Sequence, residues 1–156
     1  MTSVAVLGTG LLGTAIAKRL LDVGLEVHVW NRNPARLAPL LEQGATAVQE
    51  LQGAAQGRNA VITVLRDGGV TASVVNALGP LHGTTVMPMG TMGVEESRQL
   101  ARHVVPNNGH YLEAPVLGSK PQALDGTLLV MAGGDAQVFE EPVSYTHLTL
   151  PTNREV

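Results

Sequence analysis

The sequence of 156 residues contains no cysteine, which excludes disulfides, thiolate nucleophiles and zinc–thiolate sites. Charged residues make up only 15% of the chain and the net charge is -3, so we expect no nucleic-acid partner. The sequence also lacks the cationic start of a signal peptide and the apolar run of roughly 20 residues that crosses a bilayer. These absences favour a cytoplasmic protein, without a membrane partner, that acts on a small molecule.

What the chain does have is an alternation of short apolar runs with amphipathic helical patterns, which is typical of a parallel sheet built from βαβ units. Hydrophobic residues are 44% of the sequence, enough for the core of one domain. The predicted strands are 4–7, 26–30, 45–48, 60–65, 84–89, 110–114 and 127–131. The predicted helices are 11–21, 34–41, 70–78 and 94–105.

A glycine-rich turn lies between the first predicted strand and the first predicted helix. Its spacing is G-x-G-x-x-G, with Gly8, Gly10 and Gly13 at the glycine positions and Leu11 and Leu12 between the last two. Glycines here permit a tight turn, a close approach of backbone to pyrophosphate and close packing of helix on strand. In this context the motif predicts a Rossmann-type, doubly wound α/β fold, with a mainly parallel sheet and helices on both faces, that binds a dinucleotide.

The end of the second predicted strand indicates which dinucleotide is bound. A site selective for NAD usually ends this strand with an acidic residue that binds the ribose 2′-hydroxyl. Here Asn31 and Arg32 take that place, and Arg36 follows one helical turn later. Because a guanidinium group matches a 2′-phosphate, the sequence predicts NADP rather than NAD, with a solvated surface arginine as the alternative for Arg32.

Five further segments resemble the β-hydroxyacid dehydrogenase family, which includes 3-hydroxyisobutyrate dehydrogenases and glyoxylate/succinic semialdehyde reductases and, more distantly, imine reductases. The resemblance runs from residue 4 to about residue 140. Besides the glycine turn, it rests on the segments 29–32, 89–91, 113–119, 125–128 and 132–135. It implies that this chain is the NADP-binding, N-terminal domain of such a protein.

The resemblance places two segments beside the bound cofactor. Thr91 is expected to lie next to both the nicotinamide and the substrate, although a turn or helix-capping hydroxyl is the alternative. The family commonly has a serine where Gly90 stands, so one hydroxyl donor is lost. Leu65 and Arg66 match a loop that contacts the cofactor in the family, with the role of the Arg66 side chain left open.

The segment 115–119 matches the family's substrate loop. Leu117, Gly118 and Ser119 are therefore expected to bind substrate, although Leu117 replaces a serine that usually contacts a substrate carboxylate. A leucine there either favours a less polar substrate or packs inward, and Ser119 either compensates for the lost hydroxyl or does not. Lys120 is expected to be a surface cation, because it does not match the family's catalytic lysine.

That catalytic lysine belongs, by the resemblance, to a domain that would follow this one, so we expect no catalytic residue in this fragment. Residues 1–142 are assigned to the NADP-binding domain. The segment 143–156 resembles an in-frame translation of a sequencing-library adapter and is expected to be non-native; an ordinary C-terminal strand and tail is the alternative. We expect the intact protein to form a homo-oligomer through the missing domain.

The resemblance implies an NADP-dependent oxidoreductase that transfers a hydride between NADPH and the carbonyl or hydroxyl carbon of a small carboxylic acid. The fragment itself should be poorly active, because its substrate pocket is half built. An imine reductase and a non-catalytic dinucleotide-binding scaffold are the alternatives. No metal site or catalytic triad is expected, since the histidines are scattered without partners at suitable spacing. Those considered are His28, His82, His103 and His110.

Overall fold

The computed structural model describes residues 2–134 and residue 138, and within them the main sheet has seven strands. The strands are β1 (Ser3–Leu7), β2 (Glu26–Trp30), β3 (Thr46–Ala47), β4 (Ala60–Thr63), β5 (Thr85–Pro88), β6 (His110–Glu113), β7 (Val116–Leu117), β8 (Leu129–Val130) and β9 (Gly133–Gly134). The helices are α1 (Leu11–Asp22), a 3-10 turn (Pro34–Leu37), α2 (Ala38–Glu42), α3 (Gly68–Asn76), α4 (Val94–Val104) and α5 (Lys120–Asp125).

The strand order in the main sheet is β3-β2-β1-β4-β5-β6-β9. All neighbours from β3 to β6 pair in parallel, and only β9 runs antiparallel to β6. The chain moves outward from β1 to β3, then crosses back to β4 and continues in the opposite direction. This reversal between β1 and β4 creates the crevice in which doubly wound sheets bind ligands.

Helices cover both faces of the sheet, as predicted. Along β1, Val4 and Val6 face the layer formed by α1, α2 and α5, while Ala5 and Leu7 face the layer formed by α3 and α4. All four side chains are fully buried. Because successive side chains of a strand alternate between faces, a strand buried on both faces must be continuously apolar. The pattern confirms the doubly wound fold.

The helix predicted over 34–41 is divided into a 3-10 turn and the short helix α2. Asn33 caps the turn, since its side-chain oxygen accepts a hydrogen bond from the Ala35 N–H at 3.2 Å. Two prolines, Pro34 and Pro39, stand near the starts of the two pieces. A proline is tolerated at the first turn, where its missing N–H has no intrahelical partner to lose.

The strand predicted over 127–131 does not join the main sheet. Its central part, β8, instead pairs antiparallel with β7 in a separate two-stranded ribbon, and β9 takes the edge position beside β6. The helix α5, which the sequence did not predict, connects β7 to β8 and packs on α1. It ends at Gly126, whose φ of +71° is a left-handed conformation suited to glycine.

The described part of the chain, residues 2–134 and 138, contains no helix with the length and apolar character needed to pass through a membrane. The proposed non-native tail, 143–156, lies outside the described residues.

Candidate dinucleotide-binding site

The turn between β1 and α1 depends on glycine at two of its three motif positions. Gly8 has a φ of +104°, and a Cβ atom there would lie 2.3 Å from the Val64 carbonyl oxygen. A Cβ atom on Gly13 would lie 1.9 Å from the Gly8 carbonyl oxygen. Both separations are shorter than atoms can approach, so side chains at these positions would force the turn to open.

Gly10 has a different environment. Its φ of -71° suits any residue, it is exposed, and a Cβ atom there would meet nothing within 4 Å. It is the N-cap of α1 and provides no side-chain hydrogen bond to the first turn of that helix. The N–H groups that begin a helix lack intrahelical partners and carry the positive end of its dipole. The open side of Gly10 therefore leaves room for an anion to approach the backbone.

Leu11 and Leu12 occupy the first two positions of α1. Leu11 is 80% exposed, whereas Leu12 is half-buried and packs against the core layer of α1. Leu11 therefore lies at the start of the helix without a covering side chain.

A hydrogen-bond network fixes the glycine turn to the end of β2. The Asn31 side-chain amide donates to the Thr9 hydroxyl at 2.9 Å, and the Thr14 hydroxyl donates to the Thr9 carbonyl at 3.0 Å. Asn31 also accepts a hydrogen bond from the Asn33 N–H at 2.9 Å. From the sequence, Asn31 was predicted to contact the cofactor, but the hydrogen bonds of Thr9 and Thr14 were not predicted. Their hydroxyl groups, inside and just after the glycine motif, could have indicated them.

Arg32 stands at the carboxyl end of β2, where the sequence placed it. Its side chain is exposed and makes no ion pair with any other residue in the described portion, 2–134 and 138. Arg36 is also exposed, one turn further along. Two cations without an acidic residue at the strand end make this edge of the sheet suitable for a phosphate group.

The other side of the crevice is formed by the loops after β4 and β5. A Cβ atom on Gly90 would lie 2.8 Å from the Leu65 carbonyl oxygen, so the two loops are in direct backbone contact. The Arg66 guanidinium is 83% exposed and donates from Nε to Asp67 at 3.1 Å. Thr91 is exposed beyond Gly90. A serine at position 90 could be accommodated only by moving the Leu65 loop.

Strand register brings these segments to one edge. Leu7 pairs with both Trp30 and Thr63, and Thr63 pairs with Pro88, so β1, β2, β4 and β5 end level with one another. Four segments therefore begin within a few residues of the same sheet edge: the glycine turn, Asn31–Arg32, Leu65–Arg66 and Gly90–Thr91. The Ala114 N–H donates to the Pro88 carbonyl at 2.9 Å, which brings the end of β6 to that edge as well.

The predicted substrate loop continues from β6 into the ribbon. Leu117 does not pack inward, since it is 57% exposed. The Ser119 hydroxyl and the Ser119 N–H both bind the Gln122 side-chain oxygen, at 3.0 and 2.9 Å, which caps α5. Gly118 has a φ of +129° and lies against the Leu128 and Gln122 side chains. The serine hydroxyl is thus already used within the loop.

The spacing of the histidines indicated no partner for His28, but the structure gives it two. His28, in the middle of β2, is buried; its Nε2 lies 2.6 Å from a Glu26 carboxylate oxygen and its Nδ1 lies 3.1 Å from Arg58 Nη2. The hydrogen bond from His28 is the main cause that lowers the pKa of Glu26. Glu26 and His28 share a face of the predicted strand, but nothing in the spacing indicated that Arg58, from the turn before β4, would join them.

Two cavities lie away from the glycine turn. One, of about 450 Å³, is beside His28 and Arg58, and the other, of about 280 Å³, is between α3 and α4. Neither is lined by the glycine motif or by Arg32. Across residues 2–134 and 138, no cluster of three or more histidine, aspartate or glutamate side chains is placed to hold a metal ion.

Asp67 ties the loop after β4 to α3, and its titration should be visible in stability. Its carboxylate accepts a hydrogen bond from the Val70 N–H at 2.9 Å, which is the main cause that lowers the pKa of Asp67 below 3.8; the hydrogen bond from Arg66 adds to it. A lowered pKa in the folded state contributes stability above pH 3.8, which is lost as pH falls through the folded-state value.

We therefore expect Asp67→Asn, which keeps the cap but does not titrate, to be less stable than wild type at pH 7, with the gap narrowing towards pH 2.5. Thermal unfolding followed by circular dichroism at half-unit pH steps measures this gap. Glu95→Gln, at an exposed carboxylate that pairs with Arg102 on its own helix, is the control. A constant gap across the range would contradict the assignment.

A parallel sheet with a reversal between β1 and β4, and a glycine turn at the mouth of α1 beside it, define a Rossmann-type dinucleotide-binding domain. The chain belongs to the family described as the NAD binding domain of 6-phosphogluconate dehydrogenase, whose model matches residues 3–144.

Comparison with known proteins supports this membership. Glyoxylate/succinic semialdehyde reductase 1 of Arabidopsis thaliana is 32% identical over 145 residues, which cover 90% of this chain and 50% of that protein. The structure of 3-hydroxyisobutyrate dehydrogenase from Salmonella typhimurium superimposes with a TM-score of 0.88 at 25% identity, covering 96% of this chain and 54% of that one. The imine reductase from Pseudomonas sp. has a TM-score of 0.83 at 30% identity, covering 89% and 49%. The chain thus spans about half the length of each of these three relatives.

Proposed function

We propose that the intact protein is an NADP-dependent oxidoreductase, which transfers a hydride between NADPH and the carbonyl or hydroxyl carbon of a small carboxylic acid. The observation that supports this most directly is the pairing of an open Gly10 with an exposed Arg32 at the neighbouring strand end. The first provides a backbone approach to a pyrophosphate, and the second provides a cation where NAD-selective sites have an acid.

The residues present fit the cofactor. The N–H groups at the start of α1 would bind the pyrophosphate, Asn31 would hold the end of β2 against the glycine turn, and Arg32 would bind the 2′-phosphate. The nicotinamide, when bound, supplies or accepts the hydride. Leu65 and Arg66, on the loop after β4, and Thr91, on the loop after β5, would flank the nicotinamide half.

On the substrate side, this chain contributes Thr91 and the loop Leu117–Ser119. A hydroxyl at position 91 can donate a hydrogen bond to a carbonyl or carboxylate oxygen. A general acid/base would come from the remainder of the full-length protein. We further propose that this protein is cytoplasmic and that it forms a homo-oligomer through that remainder.

The 30% identity to an imine reductase supports a second candidate, reduction of a C=N bond by the same cofactor. Assays of NADPH consumption with aldehydes, 2-oxo acids and cyclic imines separate the two candidates, because only one substrate class should be turned over efficiently. If the full-length protein binds NADPH and turns over none of them, the non-catalytic scaffold is favoured.

Arg32 provides the test of cofactor choice. In the full-length protein, Arg32→Ala should weaken NADPH binding by roughly 10- to 150-fold, because a hydrogen bond to a charged group contributes about 1.5–3 kcal/mol. NADH binding should change little, since NADH has no 2′-phosphate. Both dissociation constants can be measured by fluorescence titration of the reduced nicotinamide.

The matched control is Arg98→Ala, an exposed arginine on α4. It should leave both dissociation constants unchanged. Equal losses of NADPH and NADH affinity in Arg32→Ala, or no loss of either, would show that Arg32 does not select the cofactor.

A further inference from the structure

We infer that the end of the substrate lying on the β7–β8 ribbon is an alkyl group rather than a carboxylate. This inference rests on the proposed function, because it concerns the substrate of the same site. It concerns the distal end of the substrate, which is the end away from the carbon that exchanges the hydride, and identifies that end as apolar. Three observations support this inference. They concern the ribbon, Ser119 and Gly90, and each is a position where a polar side chain could have donated a hydrogen bond to a carboxylate.

The first observation is the exposure of apolar side chains on the ribbon. Leu117 is 57% exposed, and its cross-strand partner Leu129 is 52% exposed. Directly opposite residues on an antiparallel pair project from the same face, so the two leucines form one apolar surface. Val116 and Val130 alternate with them and pack against the core layer of α1. The ribbon is thus anchored by one face and presents branched alkyl groups on the other.

The second observation concerns Ser119, the nearest hydroxyl after Leu117. Its Oγ lies 3.0 Å from the Gln122 side-chain oxygen, and its N–H donates to the same oxygen at 2.9 Å. The hydroxyl hydrogen is used in that contact, since the Gln122 oxygen can only accept. A carboxylate on the ribbon would have to break the cap of α5 to gain this donor.

The third observation is at Gly90, next to Thr91. The space that a side chain would need is filled by the Leu65 carbonyl oxygen, 2.8 Å from the position of a Cβ atom. A hydroxyl side chain at position 90 would therefore require the loop after β4 to move. Thr91 remains as the hydroxyl donor on the loop after β5. A single donor can serve the reacting oxygen of the substrate, which leaves none on this loop for a carboxylate at the distal end.

Lys120 is the cation nearest in sequence to these positions. It is exposed at the first position of α5, where the positive end of the helix dipole makes a cation less favourable than an anion. Lys120 is therefore included in the test as the side chain that would attract a distal carboxylate if the inference were wrong.

The test compares two 2-oxo acids that differ only at the distal end, 2-oxopentanoate and 2-oxoglutarate, so that both keep a carboxylate beside the carbon that receives the hydride. Steady-state kinetics on the full-length protein with NADPH should show a kcat/KM about tenfold higher for the methyl-ended 2-oxopentanoate. Leu117→Ser should remove most of that preference. Leu41→Ser, at a leucine on α2 that is 40% exposed, should keep it.

A preference for the carboxylate-ended member, or an unchanged ratio in Leu117→Ser, would overturn the inference. So would a loss of activity confined to carboxylate-ended substrates in Lys120→Ala, which would assign the distal end to that lysine. A fall in the melting temperature of Leu117→Ser without a change in the ratio would show that another part of the protein covers Leu117, and would also overturn it.

Binding without turnover separates this inference from the proposed function. Ligand-observed NMR on the NADP⁺-loaded full-length protein can compare 2-hydroxypentanoate with 2-hydroxyglutarate. If neither 2-oxo acid is turned over but 2-hydroxypentanoate binds and Leu117→Ser weakens it, the ribbon binds an alkyl end and the proposed hydride transfer is wrong. If neither hydroxy acid binds, or only 2-hydroxyglutarate does, the inference fails whatever the cofactor result.

Discussion

Replacing Gly10 by alanine is expected to weaken NADPH binding by roughly 30- to 150-fold while leaving the melting temperature unchanged. The backbone of Gly10 has a φ of -71°, which alanine adopts without strain, and its Cβ would project into open space. The same methyl group would occupy the approach to the first N–H groups of α1. Losing one charged hydrogen bond there costs about 2–3 kcal/mol of binding. Fluorescence titration and thermal unfolding measure the two quantities.

The control for this variant is Gly133→Ala. A Cβ atom on Gly133 also meets nothing within 4 Å, but the residue lies on β9 at the far edge of the sheet. It should retain both affinity and stability. If Gly10→Ala bound NADPH as tightly as wild type, the open side of the turn would not be where the pyrophosphate lies.

Gly13→Ala is expected to lower the stability of the fold, unlike Gly10→Ala, which is expected to lower only the affinity for NADPH. The methyl group at position 13 would lie 1.9 Å from the Gly8 carbonyl oxygen, a backbone atom that cannot move aside as the end of a flexible side chain could. We expect a loss of about 3 kcal/mol, at the upper end for an overpacked site, and a fall in melting temperature of roughly 10 °C. NADPH affinity should fall as well, since the turn must open to accommodate the methyl group.

Gly69→Ala is the matched comparison for a glycine in the first turn of a helix. The nearest neighbour of its Cβ atom would be an Asp67 carboxylate oxygen at 3.4 Å, an ordinary contact. It should be neutral or slightly stabilising, as is usual when alanine replaces a helical glycine without strain. Gly13→Ala with wild-type stability would show that the helix does not approach the strand as closely as the structure has it.

Much of the fold could be predicted because local patterns and topology agree. β1 and β2 were predicted within one residue, since each is a compact apolar run between strong punctuating residues, such as Gly8 and Gly24. The glycine motif located the start of α1 and, with it, the reversal of strand order. Where the chain alternates regularly between strand and helix, the handedness of βαβ connections leaves few arrangements to choose from.

The C-terminal part of the sheet was harder to predict because its elements are short. β7, β8 and β9 have two residues each, so periodicity cannot distinguish them from loops. Their pairing is decided by the position of α5 on α1, which is a tertiary contact. The meeting of His28 with Arg58 is likewise a long-range contact, across 30 residues of sequence.

In the site, the sequence indicated which residues take part, but not whether their side chains are exposed and free to bind a ligand. The sequence left open whether Leu117 packs inward and whether Ser119 replaces the lost hydroxyl. The structure answers through burial and hydrogen bonding: Leu117 is exposed, and the Ser119 hydroxyl is bound to Gln122. Gly90 shows the same distinction, because its contact with the Leu65 carbonyl depends on two loops that only the folded sheet brings together.

The central claim is that the glycine turn and Arg32 form a binding site for the phosphates of NADPH. Isothermal titration calorimetry of NADPH into the full-length protein tests it most directly. The account predicts saturable binding with one NADPH per chain, tighter than the binding of NADH under the same conditions. The absence of binding heat from a well-folded sample at several temperatures would contradict it.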